Sequence, residues 1–282
     1  MLSNTTQPIL LYDGDCLMCR GTIRLLDRVG LTRGISVRPW LQTDLPNEDL
    51  AERIRREILL YDPETREVLG GIPVLIRLIE LHPGCRWLAP LLKWSPISRL
   101  LAYFYRIIAM NRRILSPPPH RELPCACDPP DDPAARRQLY LILMLFTLFG
   151  MVVFALANSS APIFGSAWVL FKWLATALLF AWIPSWLAGF LVLRSRMREL
   201  IQQSLVVSAI GGMWLLILSP VLWIARLTGV MNASMAPVGF LIAIVAMNYS
   251  LRHRLRILAF PGWLHWVWLF SILALSTPLW LD

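Results

Sequence analysis

Leu139–Ala157 is a run of nineteen residues without a single charge, and no other feature restricts the fold of this chain so strongly. As a helix rising about 1.5 Å per residue, it covers roughly the 30 Å hydrocarbon core of a bilayer. The surrounding charge distribution agrees. Residues 139–282 hold 8 of the 27 Lys and Arg residues, and Glu199 and Asp282 are their only acids. Residues 1–138 hold the other 19 basic and 16 acidic residues, so the two halves carry about +3 and +6. Over the whole chain only 16% of residues are charged and 56% are apolar. A water-soluble domain is nearer about 25% charged, which places part of this chain in lipid.

The C-terminal half predicts an all-α transmembrane domain of about five helices. The expected spans are Leu139–Ala157, Ala167–Leu193 with a tilt or kink at Pro184, Leu205–Ala225, Pro237–Leu251 and Trp263–Leu281. Basic clusters precede the first span (Arg136, Arg137), follow the second (Arg194, Arg196, Arg198) and follow the fourth (Arg252, Arg254, Arg256). All fall on one side if the spans between them are even in number. The positive-inside rule then puts the N-terminal domain in the cytoplasm, with the bacterial inner membrane as host and Asp282 outside. Residues 1–8 carry no basic region of a secretory signal. The net charge of +9 is explained by these clusters, so nucleic acid is not expected as a partner.

The first 115 residues alternate strand and helix patterns. Pro8–Tyr12 reads as a buried strand, and Cys16–Val29 as a helix in which apolar Leu17, Ile23, Leu25, Leu26 and Val29 interleave with Arg20, Arg24 and Arg28, the arginines sharing one face. Ile35–Trp40 reads as a strand, Asn47–Arg56 as a helix, Glu57–Tyr61 and Glu67–Leu69 as a hairpin, and Pro73–Leu81 as a helix. Two more helical stretches, Trp87–Trp94 and Pro96–Leu115, precede a proline-rich linker over 116–138. Strand, helix, strand, helix, hairpin, helix is the order of a thioredoxin-like α/β domain.

The chemistry concentrates in Tyr12-Asp13-Gly14-Asp15-Cys16-Leu17-Met18-Cys19. A C-x-x-C where a strand turns into a helix puts the first sulfur at the helix N-terminus, where the dipole and unpaired N–H groups favour a thiolate. The second sulfur lies one turn on, within disulfide reach. Cys16 would attack a disulfide and Cys19 would resolve it. Tyr12, Asp13, Gly14 and Asp15 would shape the turn, with Asp15 as a candidate cap and Gly14 in a conformation other residues resist. The carboxylates of Asp13 and Asp15 oppose a thiolate, and Arg20 and Arg24 could offset them.

Cys125 and Cys127 in the linker are a second candidate thiol pair, or bystanders. Together with Cys16 and Cys19 they could instead complete a four-thiolate zinc site. Cys85 reads as a small buried hydrophobe. Asp13-Gly14-Asp15 after an apolar strand also has the form of the D-x-D of Mg²⁺-dependent phosphatases, but Lys93 is the only lysine before the linker to serve that chemistry. All five cysteines precede residue 128 and only His253 and His265 lie in the membrane half, so the spans can relay electrons neither by thiols nor by haem. The spans therefore read as an anchor or a docking site for a membrane protein partner, and Ile72-Pro73 as the opening of a helix rather than a cis-proline.

The segment ILLYDGDCLMCRG, with Asp13, Cys16 and Cys19, resembles the signature of the DCC thiol–disulfide oxidoreductases. Gly70-Gly71, Arg86-Trp87-Leu88 and the stretch from Tyr105 through Ala109-x-Asn111-Arg112 resemble that family's later part. The resemblance implies a thioredoxin-like fold and a dithiol–disulfide activity over residues 8–127. The resulting expectation is a membrane-tethered cytosolic oxidoreductase with no cofactor and no resident metal. Its partners would be a protein or small-molecule thiol or disulfide and the lipid bilayer. The alternative is a thiol-based zinc- or copper-binding assembly factor.

Overall fold

In the computed structural model the described residues are 7–40, 48–117, 132–157, 167–228 and 236–276. The chain divides into two units, Met1–Leu139 and Tyr140–Asp282.

The first unit is built on four short strands, β1 (Ile9–Tyr12), β2 (Ser36–Pro39), β3 (Leu59–Tyr61) and β4 (Val68–Gly70), in the order β2-β1-β3-β4. β1 runs parallel to β2, with Leu10 opposite Val37, and antiparallel to β3, with Leu10 opposite Leu60. The parallel pair needs a crossover, which α1 (Leu17–Arg28) provides. β1 is central and apolar throughout, and its two faces feed two cores. Ile9 and Leu11 pack with Ile54 and Leu59, while Leu10 packs with Ile23, Val74 and Leu78. The alternation follows from the two-residue period of a strand. The remaining helices are α2 (Glu48–Ile54), α3 (Ile72–Leu81), α4 (Ala89–Lys93), α5 (Ser95–Met110) and α6 (Arg112–Leu115), with a 3₁₀ turn at Arg86–Leu88.

Several expectations shift in detail. On α1 the buried face is Cys19 and Ile23, with Leu26 half-buried, whereas Leu25 and Val29 are exposed. Positions 19, 23 and 26 share one helical stripe, and residues 25 and 29 lie round the cylinder from it. Cys85 is half-buried rather than sealed in a core. Pro73 stands in the first turn of α3, and no peptide bond among the described residues is cis. Asn47, the expected start of the second helix, lies outside the described residues, as do Cys125 and Cys127.

The second unit is helical. α7 (Pro133–Ala157) enters it from the first, and α8 (Ala167–Leu193), α9 (Met197–Leu227), α10 (Ala236–Ile257) and α11 (Leu264–Ser276) follow. α7 begins six residues before the expected first span and absorbs the end of the expected linker. Two stretches are long and apolar enough to cross a membrane by length and composition. They are Pro133–Ala157, where an 18-residue stretch has a mean hydropathy of 2.6, and Lys172–Ala225, where one has 2.2, the latter holding most of α8 and α9. α11 is apolar but shorter, and α10 ends in the Arg252–Arg256 cluster.

Two features organise this unit. A Cβ on Gly150 of α7 would collide with the backbone of Gly212 on α9, and one on Gly212 would lie 2.7 Å from Thr147 Cα. The two helices therefore touch backbone to backbone at residues without side chains, a packing mode of apolar helices. α8 and α9 are clamped by Trp182 Nε1 donating to Ser208 Oγ at 3.0 Å and Trp186 Nε1 donating to Ser204 Oγ at 3.3 Å. His265 is satisfied locally by the carbonyl of Gly262, as expected of a lone histidine.

Candidate functional site

β1 ends at Tyr12, and the next four residues turn the chain into α1. Asp13 controls that turn. Its Oδ1 accepts from Asp15 N–H at 3.0 Å and from Cys16 N–H at 3.2 Å. The cap is thus divided: Asp13 satisfies the amides before the helix, and Cys16, not Asp15, is the N-cap residue. Asp15 is exposed. Gly14 does not adopt a positive φ. It is small because a Cβ there would come within 3.0 Å of the Cβ of Pro39 on β2. Tyr12 is half-buried against the core that contains Leu10.

The Cys16 Sγ faces the first turn of α1 and accepts from Cys19 N–H at 3.3 Å. Cys19 is buried and Cys16 half-buried, and ligand atoms of Asp13, Cys16 and Cys19 all lie within 4.8 Å of one another. This neighbourhood pulls the Cys16 thiol down to about 6. A hydrogen bond from the Cys19 side chain is the largest cause, opposed by burial, and helped by the Cys19 N–H and the charge of Arg112. Asp13 acts against it. The Cys19 thiol moves upward, because it donates to Cys16, is buried, and sits beside the charge Cys16 carries. The two sulfurs thus separate into a thiolate and a protonated partner.

The cation of the site is Arg112, where the sequence pointed to Arg20 and Arg24. Its Nη2 lies 3.1 Å from Asp13 Oδ2, and both side chains are almost fully enclosed, at 6% and 3% exposure. Its Nη1 lies 3.9 Å from Cys19 Sγ. Burial raises the pKa of Asp13, Arg112 and the two backbone donors hold it back, and the charge of Asp15 adds to the rise. α5 and α6 bring Arg112 to the dithiol. Tyr105 on α5 fixes the approach, its hydroxyl accepting from Ile58 N–H at 2.9 Å. Burial pushes the Tyr105 hydroxyl up to about 12, so it is protonated at neutral pH. Gly71, at φ +64°, lies between the sheet and α5, and a Cβ there would come within 3.0 Å of Glu57 Oε2 and 3.2 Å of the Tyr105 ring. A cavity of about 220 Å³ opens beside this constellation, with Cys19, Asp13, Tyr105 and Arg112 among its walls.

Asp13, Cys16 and Cys19 form the one group of metal-ligating side chains found among the described residues. These three donors leave a closed tetrahedral zinc site one ligand short, and Cys125 and Cys127, which were expected to complete it, lie outside the described residues. The Asp13 carboxylate is moreover already engaged by two amides and a guanidinium. The D-x-D phosphatase pattern does not form an acidic pair here, since Asp13 is buried on Arg112 while Asp15 is exposed.

No curated protein and no solved structure matches this chain. The segment that builds the site, from β1 through α6, does find a match: residues 10–116 fit the family model described as DCC1-like thiol-disulfide oxidoreductase.

Proposed function

We propose that the chain is a membrane-tethered dithiol–disulfide oxidoreductase in which Cys16 is the nucleophile and Cys19 the resolving thiol. The observation that carries this is the Cys16 Sγ at the N-terminus of α1, accepting from Cys19 N–H with its pKa near 6. At neutral pH such a sulfur is mostly thiolate, the reactive form in disulfide exchange. Cys16 attacks one sulfur of a substrate disulfide, a mixed disulfide forms, and one substrate thiolate leaves. Cys19 loses its proton and attacks the Cys16 Sγ. The second substrate thiolate leaves, and a Cys16–Cys19 disulfide remains. The substrate is reduced by two electrons, and the reverse sequence oxidises a dithiol. Arg112 orients Asp13 and lies beside Cys19, where it favours the thiolate that resolution needs.

The strand order and the family match support a thioredoxin-like reading of residues 1–115. The apolar stretches support a tether, which we read as five spans formed by α7–α11, with the dithiol domain in the cytoplasm, where thiols are kept reduced. On this reading residues 116–132 link the two, and Cys125 and Cys127 are either a second thiol pair that exchanges with the site or bystanders.

The test is trapping. Cys19→Ser should accumulate mixed disulfides through position 16 when cells are acid-quenched, and Cys16→Ser should accumulate none. The close grouping of Asp13, Cys16 and Cys19 gives the metal-carrier reading its one foothold. An absence of trapped species, together with stoichiometric zinc or copper in the purified chain, would establish that reading instead.

A further inference from the structure

The cavity beside Cys19 has properties that disulfide exchange does not use. At about 220 Å³ it exceeds the roughly 150 Å³ apolar cavity that is large enough to take up benzene. It is open to solvent on one side, so a ligand can enter it without a rearrangement of the fold. The walls are mostly apolar, with Met18 on α1, Leu75 on α3 and Ala109 on α5 among them. The charged groups in the walls, and the Tyr105 hydroxyl, already have partners. Asp13 is paired with Arg112, Glu57 with Arg53, and Arg56 with Glu52, and the Tyr105 hydroxyl accepts from Ile58 N–H. With its charges matched in this way, the cavity favours a neutral occupant over an ion.

Its position also separates it from the disulfide. Cys19 lines the cavity and Cys16 does not. For Cys19 to resolve a mixed disulfide, it must attack Cys16 Sγ in line with the departing sulfur. The departing group therefore lies on the far side of Cys16 from Cys19, away from the cavity. The geometry points to a binding site for a neutral, apolar small molecule of one or two aromatic rings, packed against Cys19 and distinct from the face where Cys16 meets a disulfide. That distinction rests on the exchange reading, whereas the binding itself does not.

Photolabelling of the purified full chain in detergent tests this. The probe is a neutral phenyl trifluoromethyl diazirine, with labelled peptides mapped by mass spectrometry. The expected result is saturable labelling of the peptides carrying Met18 and Ala109, reduced several-fold by excess toluene and absent in Ala109→Trp. A carboxylated diazirine should label these peptides weakly. Label that is absent between residues 10 and 116, or that never saturates and ignores toluene, overturns the proposal. So does label that persists in an Ala109→Trp chain with unchanged circular dichroism. If that variant does not fold, toluene competition on the unaltered chain decides alone. Cys19→Ser trapping reports separately on the oxidoreductase reading: label without trapping removes the exchange chemistry and keeps the cavity site, and trapping without label does the reverse.

Discussion

Arg112 and Cys19 stand 93 residues apart in sequence, yet Arg112 Nη1 lies 3.9 Å from the Cys19 Sγ while Nη2 holds Asp13. A single guanidinium thus connects the turn before α1 with the buried member of the dithiol. Charge balance at the site depends on it, because Asp13 is otherwise a buried carboxylate beside a thiolate.

Removing that guanidinium should therefore harm both stability and reactivity. Breaking a buried ion pair from one side typically costs about 3–5 kcal/mol, and Arg112→Ala should fall in that range by chemical denaturation of the full chain in detergent. The same variant should raise the Cys16 pKa, since the Arg112 charge lowers it. Arg112→Ala with unchanged stability and an unchanged Cys16 titration would remove Arg112 from the site.

The Cys16 titration has a definite direction. An acid whose pKa is lowered keeps its charge to lower pH. Alkylation by iodoacetamide should thus stay fast at neutral pH and fall away as pH drops through about 6. Cys19→Ala removes the largest cause of the shift and should move the inflection up toward the ordinary thiol value of about 8.5. Cys19→Ser retains a hydroxyl donor and should move it less. An inflection in the unaltered chain already near the ordinary value would contradict the hydrogen-bonded thiolate.

Two glycines of the first unit should respond in opposite ways to alanine. Gly71 has φ +64° and faces Glu57 and Tyr105 at close range. Backbone strain of that kind costs about 1–3 kcal/mol, so Gly71→Ala should lower the thermal midpoint. Gly21 is exposed within α1, and an added Cβ there meets nothing within 4 Å. Gly21→Ala should stabilise by up to about 1 kcal/mol through helix propensity. Thermal unfolding of both variants, side by side, checks the pair.

In the second unit the contact of α7 with α9 leaves no room at Gly212. Gly212→Val should force the helices apart, a change that costs about 1–3 kcal/mol or more when backbone must shift. It should show as a lower unfolding midpoint and poorer monodispersity in detergent. Ser208→Ala, which leaves the buried Trp182 indole N–H without its acceptor, should cost about 1–3 kcal/mol.

The local parts of the site were legible in the sequence, and the long-range parts were not. The spacing of Cys16 and Cys19 sets one helical turn between them, and their placement after an apolar strand fixes the N-terminus that receives Cys16. The hairpin and the Pro73 helix start follow from equally local signals. Arg112 is different. Arg20 and Arg24 lay nearest in sequence, but both are on α1 itself, and no periodicity tells which distant cation a buried carboxylate will meet. The role of Gly14 was misjudged for the same reason: its constraint comes from Pro39 on a neighbouring strand rather than from its own dihedral angles. In the second unit the apolar runs announced the helices, while the serines that bond Trp182 and Trp186 carried no sequence signal of their pairing.

The place of Arg112 in the short helix α6 also bears on how small a working version of this protein can be. The sheet and the dithiol are complete by Met110, and a shortened chain ending there would look intact by its strands and thiols. It would nonetheless bury an uncompensated carboxylate beneath its reactive sulfur. On the exchange reading the minimal module therefore extends two residues beyond α5, to a boundary set by charge neutrality instead of by secondary structure.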